Sequence, residues 1–423
     1  MKNITKSKSS VVCIVDAFST GKKLAAEFAK YAIKCIHIRS TTRELGETSS
    51  NQFMLEIVFN GDFDSLAEEI KHYHPMHIIA GSEIGVELAD KLSNALNLSS
   101  ANDARKIPHR RNKYLMHEIL QQAGLPHIKQ FKSSEEDEII NWAKVHNQWP
   151  VIIKPINSAA SDGVIICDNA QTVKEAFNHN FCKVNRLGIL NEEVLIQEHI
   201  EGTQYFVNTV SWEGKHFVTD IWKQIRRRLC GKAYLFEGMT LCASSGTIET
   251  ELSDYISKVL DLLGLQHGAA HSEVMWTENG PILIEVNARL MGASIDDRSF
   301  VKALGYTQVQ ALVLAYACPK QFIQQYFGTH YELFYHLAEV SFIYNQDGYL
   351  KDFPKKTAIS NLASFHNFSG LMPIGSFVRK TEDTLGEPGY VYLMHKNEVV
   401  LLQDMMQAIQ WQRDGELFEI SQN

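Results

Sequence analysis

The chain has 423 residues, 45% hydrophobic and 21% charged, and its 41 basic and 49 acidic side chains leave a net charge of −8. At about 150 residues per domain this length suggests two or three domains with sizeable cores, and the acidic balance argues against a general nucleic-acid binder held by a basic surface. Seven cysteines without a CxxC pair argue against a zinc ribbon or disulfide scaffold, and a polar, lysine-bearing start with no apolar run of membrane-spanning length points to a cytoplasmic chain without a membrane partner.

Val11–Val15 is an apolar β-type run, followed by a loop over 16–21 and a helical pattern through Leu24, Ala25, Phe28 and Ala29. A second apolar stretch, 33–38, closes a strand–loop–helix–strand unit. The pattern returns as a helix near 63–72, a strand at 78–80, the loop Gly81-Ser82-Glu83 and a helix from Gly85. This alternation predicts a parallel α/β layer. Its first loop is not GxGxxG, so the layer is expected to shape one wall of a substrate site rather than to bind a dinucleotide.

From Asn102 the texture changes. Arg110-Arg111-Asn112-Lys113 opens a helical run, 114–123, ended by Gly124 and Pro126. Strand-like runs follow at 151–154, 164–167, 194–198, 206–212 and 216–219, with a helix at 253–263. Long antiparallel pieces mixed with helices predict an α+β architecture. Beyond Ser299 come a helix at 309–318, strands at 339–344 and 390–394, and a last helix at 400–414.

The segment 268–289 carries the most chemistry. Two β runs flank a turn containing Asn279-Gly280. Alternation puts His271, Glu273 and Met275 on one face of the first strand, and Leu283, Glu285 and Asn287 on one face of the second. A two-residue Asn279-Gly280 loop would place Glu273 and Glu285 on opposite faces. A three-residue loop, Glu278-Asn279-Gly280, brings Glu273 opposite Glu285 and His271 opposite Asn287, and this register is the expected one. Like charges across a strand pair repel unless a cation lies between them. Two carboxylates and an amide oxygen suit Mg²⁺ held together with substrate phosphates.

Phosphate handling also needs cations and backbone donors. Lys154 ends the buried-type strand VIIKP and leads into the small-residue loop NSAASDGV, where Ser158 and Ser161 can add hydroxyls and Gly163 lets the backbone approach. Arg226-Arg227-Arg228 is the one dense basic run, and two of the three are read as solvated.

Together these segments resemble the ATP-grasp superfamily of carboxylate–amine ligases. In chain order they are RRNKYLMHEILQQAGLP, VIIKP, NSAASDGV, QEHIEGTQY, HGAAHSEVM and GPILIEVNARLMG, spanning about 102–293. HSEVM with EVNARLMG, and the C-terminal GYVYLMHKNEVVLLQDMMQAIQWQRDG, look most like the bacterial L-amino-acid ligases, the dipeptide synthetases.

The resemblance implies an α/β and α+β ATP-grasp fold. It would comprise a Rossmann-like pre-ATP-grasp domain over 1–105, an ATP-grasp domain over 106–300 with a phosphate lid at about 126–200, and a C-terminal α+β subdomain over 301–423 packing on that core. It implies ATP and one or two Mg²⁺ (or Mn²⁺) as cofactors, amino acids as small-molecule substrates, and an oligomeric state left open, a homodimer being common in the family. Lys113 and Lys154 would contact ATP phosphates, with the loop through Ser158, Ser161 and Gly163 closing over them. Gln197, Glu198 and Ile200 would hold adenine, and Gln204 stands where many members carry a ribose-binding glutamate. Glu273, Glu285 and Asn287 would bind the metal, Arg289 the γ-phosphate or acyl phosphate, and His271 would lie near the reacting carboxylate. Ala160 and Ala293 stand where relatives usually have glycine. The rival readings are an ATP-grasp enzyme with a different acceptor, such as a nucleotide-pathway amidoligase or carboxylase, and a nucleotide-binding protein without turnover.

Overall fold

The computed structural model describes residues 10–41, 50–158, 162–228, 234–292, 296–381 and 389–422. The N-terminal strands Leu55–Val58, Lys34–Arg39, Val11–Val15 and His77–Ala80 lie in that order in one parallel sheet. The strand Leu55–Val58 is not legible in the pattern, because it is four residues long and buries only Ile57. Parallel strands deliver their following loops to one end of the sheet. Here that brings the loops after Val15 and Ala80 together so tightly that a side chain at Gly21 would collide with the Gly81 carbonyl.

The strands Gln130–Ser133, Val194–Glu198, Val151–Pro155 and Ile165–Cys167 form a small antiparallel sheet. The helices Glu136–His146 and Ala170–Asn180 pack on it through Ile139, Ala143, Val173 and Phe177.

The central element is an eight-stranded sheet, in the order Gly280–Asn287, Gly268–Thr277, Thr203–Trp212, Lys215–Arg228, Tyr234–Leu241, His336–Ser341, Tyr390–His395 and Phe365–Ser369. Hydrogen bonding is continuous from the ribbon 268–287 into the C-terminal strands, because His336–Ser341 pairs with Tyr234–Leu241. The helices Thr247–Leu262 and Gln308–Ala317 contribute to the main core on one face, while Glu398–Arg413 closes a second core on the other.

The ribbon reaches the expected register by another route. Glu273 faces Glu285 and His271 faces Asn287, yet Thr277 already pairs with Gly280, so the turn holds only Glu278 and Asn279. The odd residue is absorbed by a bulge at Ile284, between the pairs Glu273–Glu285 and Val274–Leu283. The bulge also corrects the expected faces. Leu283 and Val286 enter the core, while Ile284 joins Glu285 and Asn287 on the cavity side. Strict alternation failed here because two residues oppose one.

Candidate active site

The helix Lys113–Gln122 lies against this ribbon, capped by the Asn112 side chain. One turn of helix separates Lys113 from His117, so both project toward the same neighbour. Buried His117 donates from Nε2 to the carbonyl of Ile284 (3.3 Å) and accepts at Nδ1 from the Ile128 amide (3.3 Å). The bulge carbonyl therefore has a partner. Burial, with Lys154 nearby, pushes the His117 pKa down to about 3, which keeps the ring neutral for that paired role. Nothing in the sequence pattern singled out His117, because the bulge it serves is itself a tertiary feature.

Lys113 Nζ lies 2.9 Å from Glu285 Oε2 and 2.8 Å from the Ser158 carbonyl. It thereby ties the ribbon to the start of the small-residue loop. Lys154 is buried, and its pKa falls to about 8, first from burial and then from the charge on Lys113. Burial and the facing Glu285 raise Glu273, whereas Glu285 is held low against its own burial by Lys113, which is both charge and hydrogen-bond partner. The two carboxylates are thus driven apart in acidity.

His271 is fixed from behind. Its Nδ1 donates to Asn208 Oδ1 (2.8 Å), and Asn208 in turn donates to Asp220. Asp220 is buried, with further bonds from Thr219 (2.8 Å) and the Trp222 indole (2.7 Å). This chain sets the tautomer, leaving the Nε2 lone pair toward Glu273 Oε1 at 3.8 Å. Burial, reinforced by Arg289, lowers the His271 pKa to about 3.

Arg289 is oriented from the N-terminal layer. Its Nε bonds Glu83 Oε2 at 3.0 Å and its other arm reaches the Leu290 carbonyl at 2.8 Å. Glu83 also pairs with Arg111. The loop 81–83 was expected only to shape a wall; Glu83 was not foreseen as the partner of an arginine 206 positions away.

Of the basic run, Arg227 and Arg228 pair with Glu237 and Asp168, while Arg226 turns into the cavity, over the Tyr234 ring and onto Gln204. Gln204 donates to Glu273 Oε2 at 2.6 Å, so its amide bridges Arg226 and a carboxylate. Ser158 donates to Asp162 (2.8 Å), and buried Gln197 donates to Gln130 (3.0 Å). Glu198 accepts the Lys129 amide at 2.8 Å. Gly163 has φ +69°, and its Cβ position is filled by Asn180 and Pro155, so only glycine fits this hinge of the loop. Ser161, Ala160 and Ala293 lie outside the described residues.

One cavity of about 690 Å³ gathers these parts. Lys113, Lys154, Ser158 and Arg289 line it with His271, Glu273, Glu285 and Asn287. Gln197, Glu198, Ile200 and Gln204 line it as well. Gly163 does not, though its neighbours Asp162 and Val164 do. Ser19 and Glu83 complete the wall from the N-terminal layer.

Among the described residues no group of three or more His, Cys, Asp or Glu could hold a metal by itself. Two facing carboxylates plus the Asn287 amide oxygen do fit a hard divalent ion that takes its remaining ligands from phosphates and water.

Residues 147–297 match the ATP-grasp domain family. Over 404 residues the chain is 32% identical to dapdiamide A synthase of Enterobacter agglomerans, the match covering 93% of each chain. The chain belongs to the ATP-grasp carboxylate–amine ligases. The ligase superposes on the L-amino acid ligase from Bacillus licheniformis with a TM-score of 0.71 at 16% identity, over 99% of this chain and 100% of that one. It superposes on N5-carboxyaminoimidazole ribonucleotide synthetase from Thermotoga maritima with a TM-score of 0.66 at 13% identity, over 98% and 100%. These two likenesses are of fold, and the expected ATP-grasp fold is the one observed. The ligase is an ATP-dependent enzyme of amide-bond formation, which sets aside a nucleotide-binding protein without turnover. Among its described residues no helix is long and apolar enough to cross a membrane.

Proposed function

We propose that this ligase activates the carboxylate of one amino acid as an acyl phosphate and joins it to the amine of a second, releasing ADP and phosphate. The observation that carries the reading is the single cavity in which two lysines, a facing carboxylate pair and a clamped arginine meet. Similarity to dapdiamide A synthase over 93% of the chain supports it. We assign Lys113 and Lys154 to the ATP phosphates, the loop around Ser158 and Gly163 to the lid above them, and the segment Gln197–Glu198–Ile200 to adenine. Gln204 serves the ribose edge. We also keep the division at 105 and 300 as the proposed domain boundaries, with 126–200 as the lid.

Glu273, Glu285 and Asn287 would hold Mg²⁺, which when bound neutralises phosphate charge and orients the transferring group. The remaining chemistry belongs to side chains. A carboxylate oxygen attacks the γ-phosphorus, the bond to the β-phosphate oxygen breaks, and ADP leaves with that electron pair. The amine of the second substrate then attacks the acyl carbon, phosphate departs with the C–O pair, and the nitrogen loses a proton. Lys154 and Arg289 stabilise the charge that develops on phosphoryl oxygens, in a site they occupy before reaction begins. Closure of the lid excludes water that would hydrolyse the acyl phosphate. His271 is held neutral and lies beside the reacting carboxylate, and its depressed basicity is a poor match for a general base at neutral pH.

The test is ADP release over an amino-acid panel, with mass analysis of the products. ADP that depends on two amino acids, and a product equal to their sum less one water, is expected. ADP release only with a non-amino-acid acceptor would replace this reading by an amidoligase or carboxylase acting elsewhere.

A further inference from the structure

Away from the ribbon, the same cavity is lined by two buried polar groups that the reaction outlined above does not use. Glu339 is 1% exposed and Gln224 8% exposed, and both line the cavity. Among the described residues, Glu339 Oε2 and Gln224 Nε2 have no hydrogen-bond partner. The Tyr392 hydroxyl hydrogen-bonds the Glu339 carboxyl. An unpaired buried acceptor or donor costs about 1–3 kcal/mol each, and a folded chain rarely retains two in one place without a use.

Their placement is defined by the sheet. Met239 pairs with Gln224 on one side and with Glu339 on the other. Residues directly opposite across strands share a face, so the lone acceptor and the lone donor flank one methionine on the cavity side. The helix Asp297–Leu304 packs on His336–Ser341 and Tyr390–His395. The Tyr392 hydroxyl meets the backbone of Asp296. Asp296 and the helix that follows it therefore lie against the strands that carry Glu339 and Tyr392.

We propose that Glu339 and Gln224 form the subsite for the amino acid whose carboxylate is activated, Glu339 binding its α-ammonium group and Gln224 donating to one of its oxygens. This inference rests on the amino-acid reading of the site. A carboxylate with one open oxygen, across a methionine from an unpaired amide donor, matches a zwitterion, which carries a cation and an anion on one carbon. The choice between the two substrates follows from chemistry. The attacking amine must be neutral when it reacts, whereas the amine of the activated partner takes no part and is carried into the product as its free N-terminus. A buried anion holds a bound amine protonated. Glu339 therefore suits the spectator amine, and it keeps that amine from acting as a nucleophile.

Hydroxylamine trapping isolates this half of the reaction: with ATP and one amino acid, the acyl phosphate and hydroxylamine give a hydroxamate and phosphate. The wild-type enzyme is expected to form hydroxamate from its amino acid at least about 10-fold more efficiently than from the des-amino acid of the same skeleton. In Glu339→Gln the KM for the amino acid should rise about 10- to 100-fold, the loss of one charged hydrogen bond, with the des-amino acid unaffected and ATP affinity unchanged. Equal wild-type use of the two acids overturns the inference without any variant. So does a Glu339→Gln enzyme that binds ATP and keeps the wild-type preference. No hydroxamate from any amino acid, in an enzyme that releases ADP with another acid, overturns the amino-acid reading itself.

Discussion

On the ribbon side of the cavity, Glu273 and Glu285 stand among Lys113, Lys154, Arg226 and Arg289, and every one of these groups has a charged or hydrogen-bonded neighbour. At the other end of the same cavity, Glu339 is more deeply buried, with one oxygen bonded by a tyrosine hydroxyl and the other without a partner among the described residues. Both settings take carboxylates out of water, but they compensate differently. The first is balanced within the protein, and it holds charge at a set place, as the proposed phosphoryl transfer requires. The second is left open on one oxygen, which is what a site built to receive a cation requires.

That contrast is sharpened by removing its members in turn. Glu285→Ala should reduce Mg²⁺-dependent turnover by at least about 10³-fold, since a metal clamp is worth several kcal/mol; circular dichroism should be unchanged, and retained turnover would end the metal assignment. Lys154→Met should lower kcat/KM by about 10²- to 10³-fold, the scale of one preorganised charge or donor. If instead ATP binds and turns over normally, Lys154 is a buried strand residue and nothing more. Glu83→Gln leaves Arg289 and Arg111 without their shared anion, and a fall in kcat of about 10-fold with little change in the KM for ATP is expected from steady-state kinetics. A loss confined to thermal stability would make Glu83 a structural tie only.

The smallest effect concerns stability and pH. Burial raises Glu339 to about 7 from an ordinary 4.5. The folded chain therefore holds this proton over a range where the unfolded chain has lost it, and stability falls as pH rises from about 4.5 to 7. Glu339→Gln should make the ligand-free enzyme about 1–3 kcal/mol more stable than wild type at pH 8, with the gap shrinking toward pH 5 in denaturant melts. Equal gaps at both pH values would contradict the isolation of this carboxylate. The ribbon pair should show no comparable gain, because its cations are left unpaired when an anion is removed.

The parallel layer and the antiparallel body were legible in hydrophobic period and turn residues, whereas the pairing of Glu273 with Glu285 was expected from a three-residue loop and is in fact set by a bulge. The face of Leu283 was misread because period-two alternation has no term for a bulge. His117, Glu83, Asn208 and Glu339 were not visible as partners. Their signals are a lone histidine on a helix, an acid in a loop, an amide in a strand and a glutamate in an apolar run, each ordinary in sequence.

Local composition determined which segments become strands and helices, where a small-residue loop joins two strands, and which residue types carry charge. Only packing decided that Arg226 points inward while its two neighbours find acids elsewhere, that Glu83 grips Arg289, and that one oxygen of Glu339 is left without a donor. The reason is range. Secondary structure answers to neighbours within a turn or a strand pair, whereas desolvation and Coulomb interaction depend on groups that meet only after distant stretches of chain have folded together.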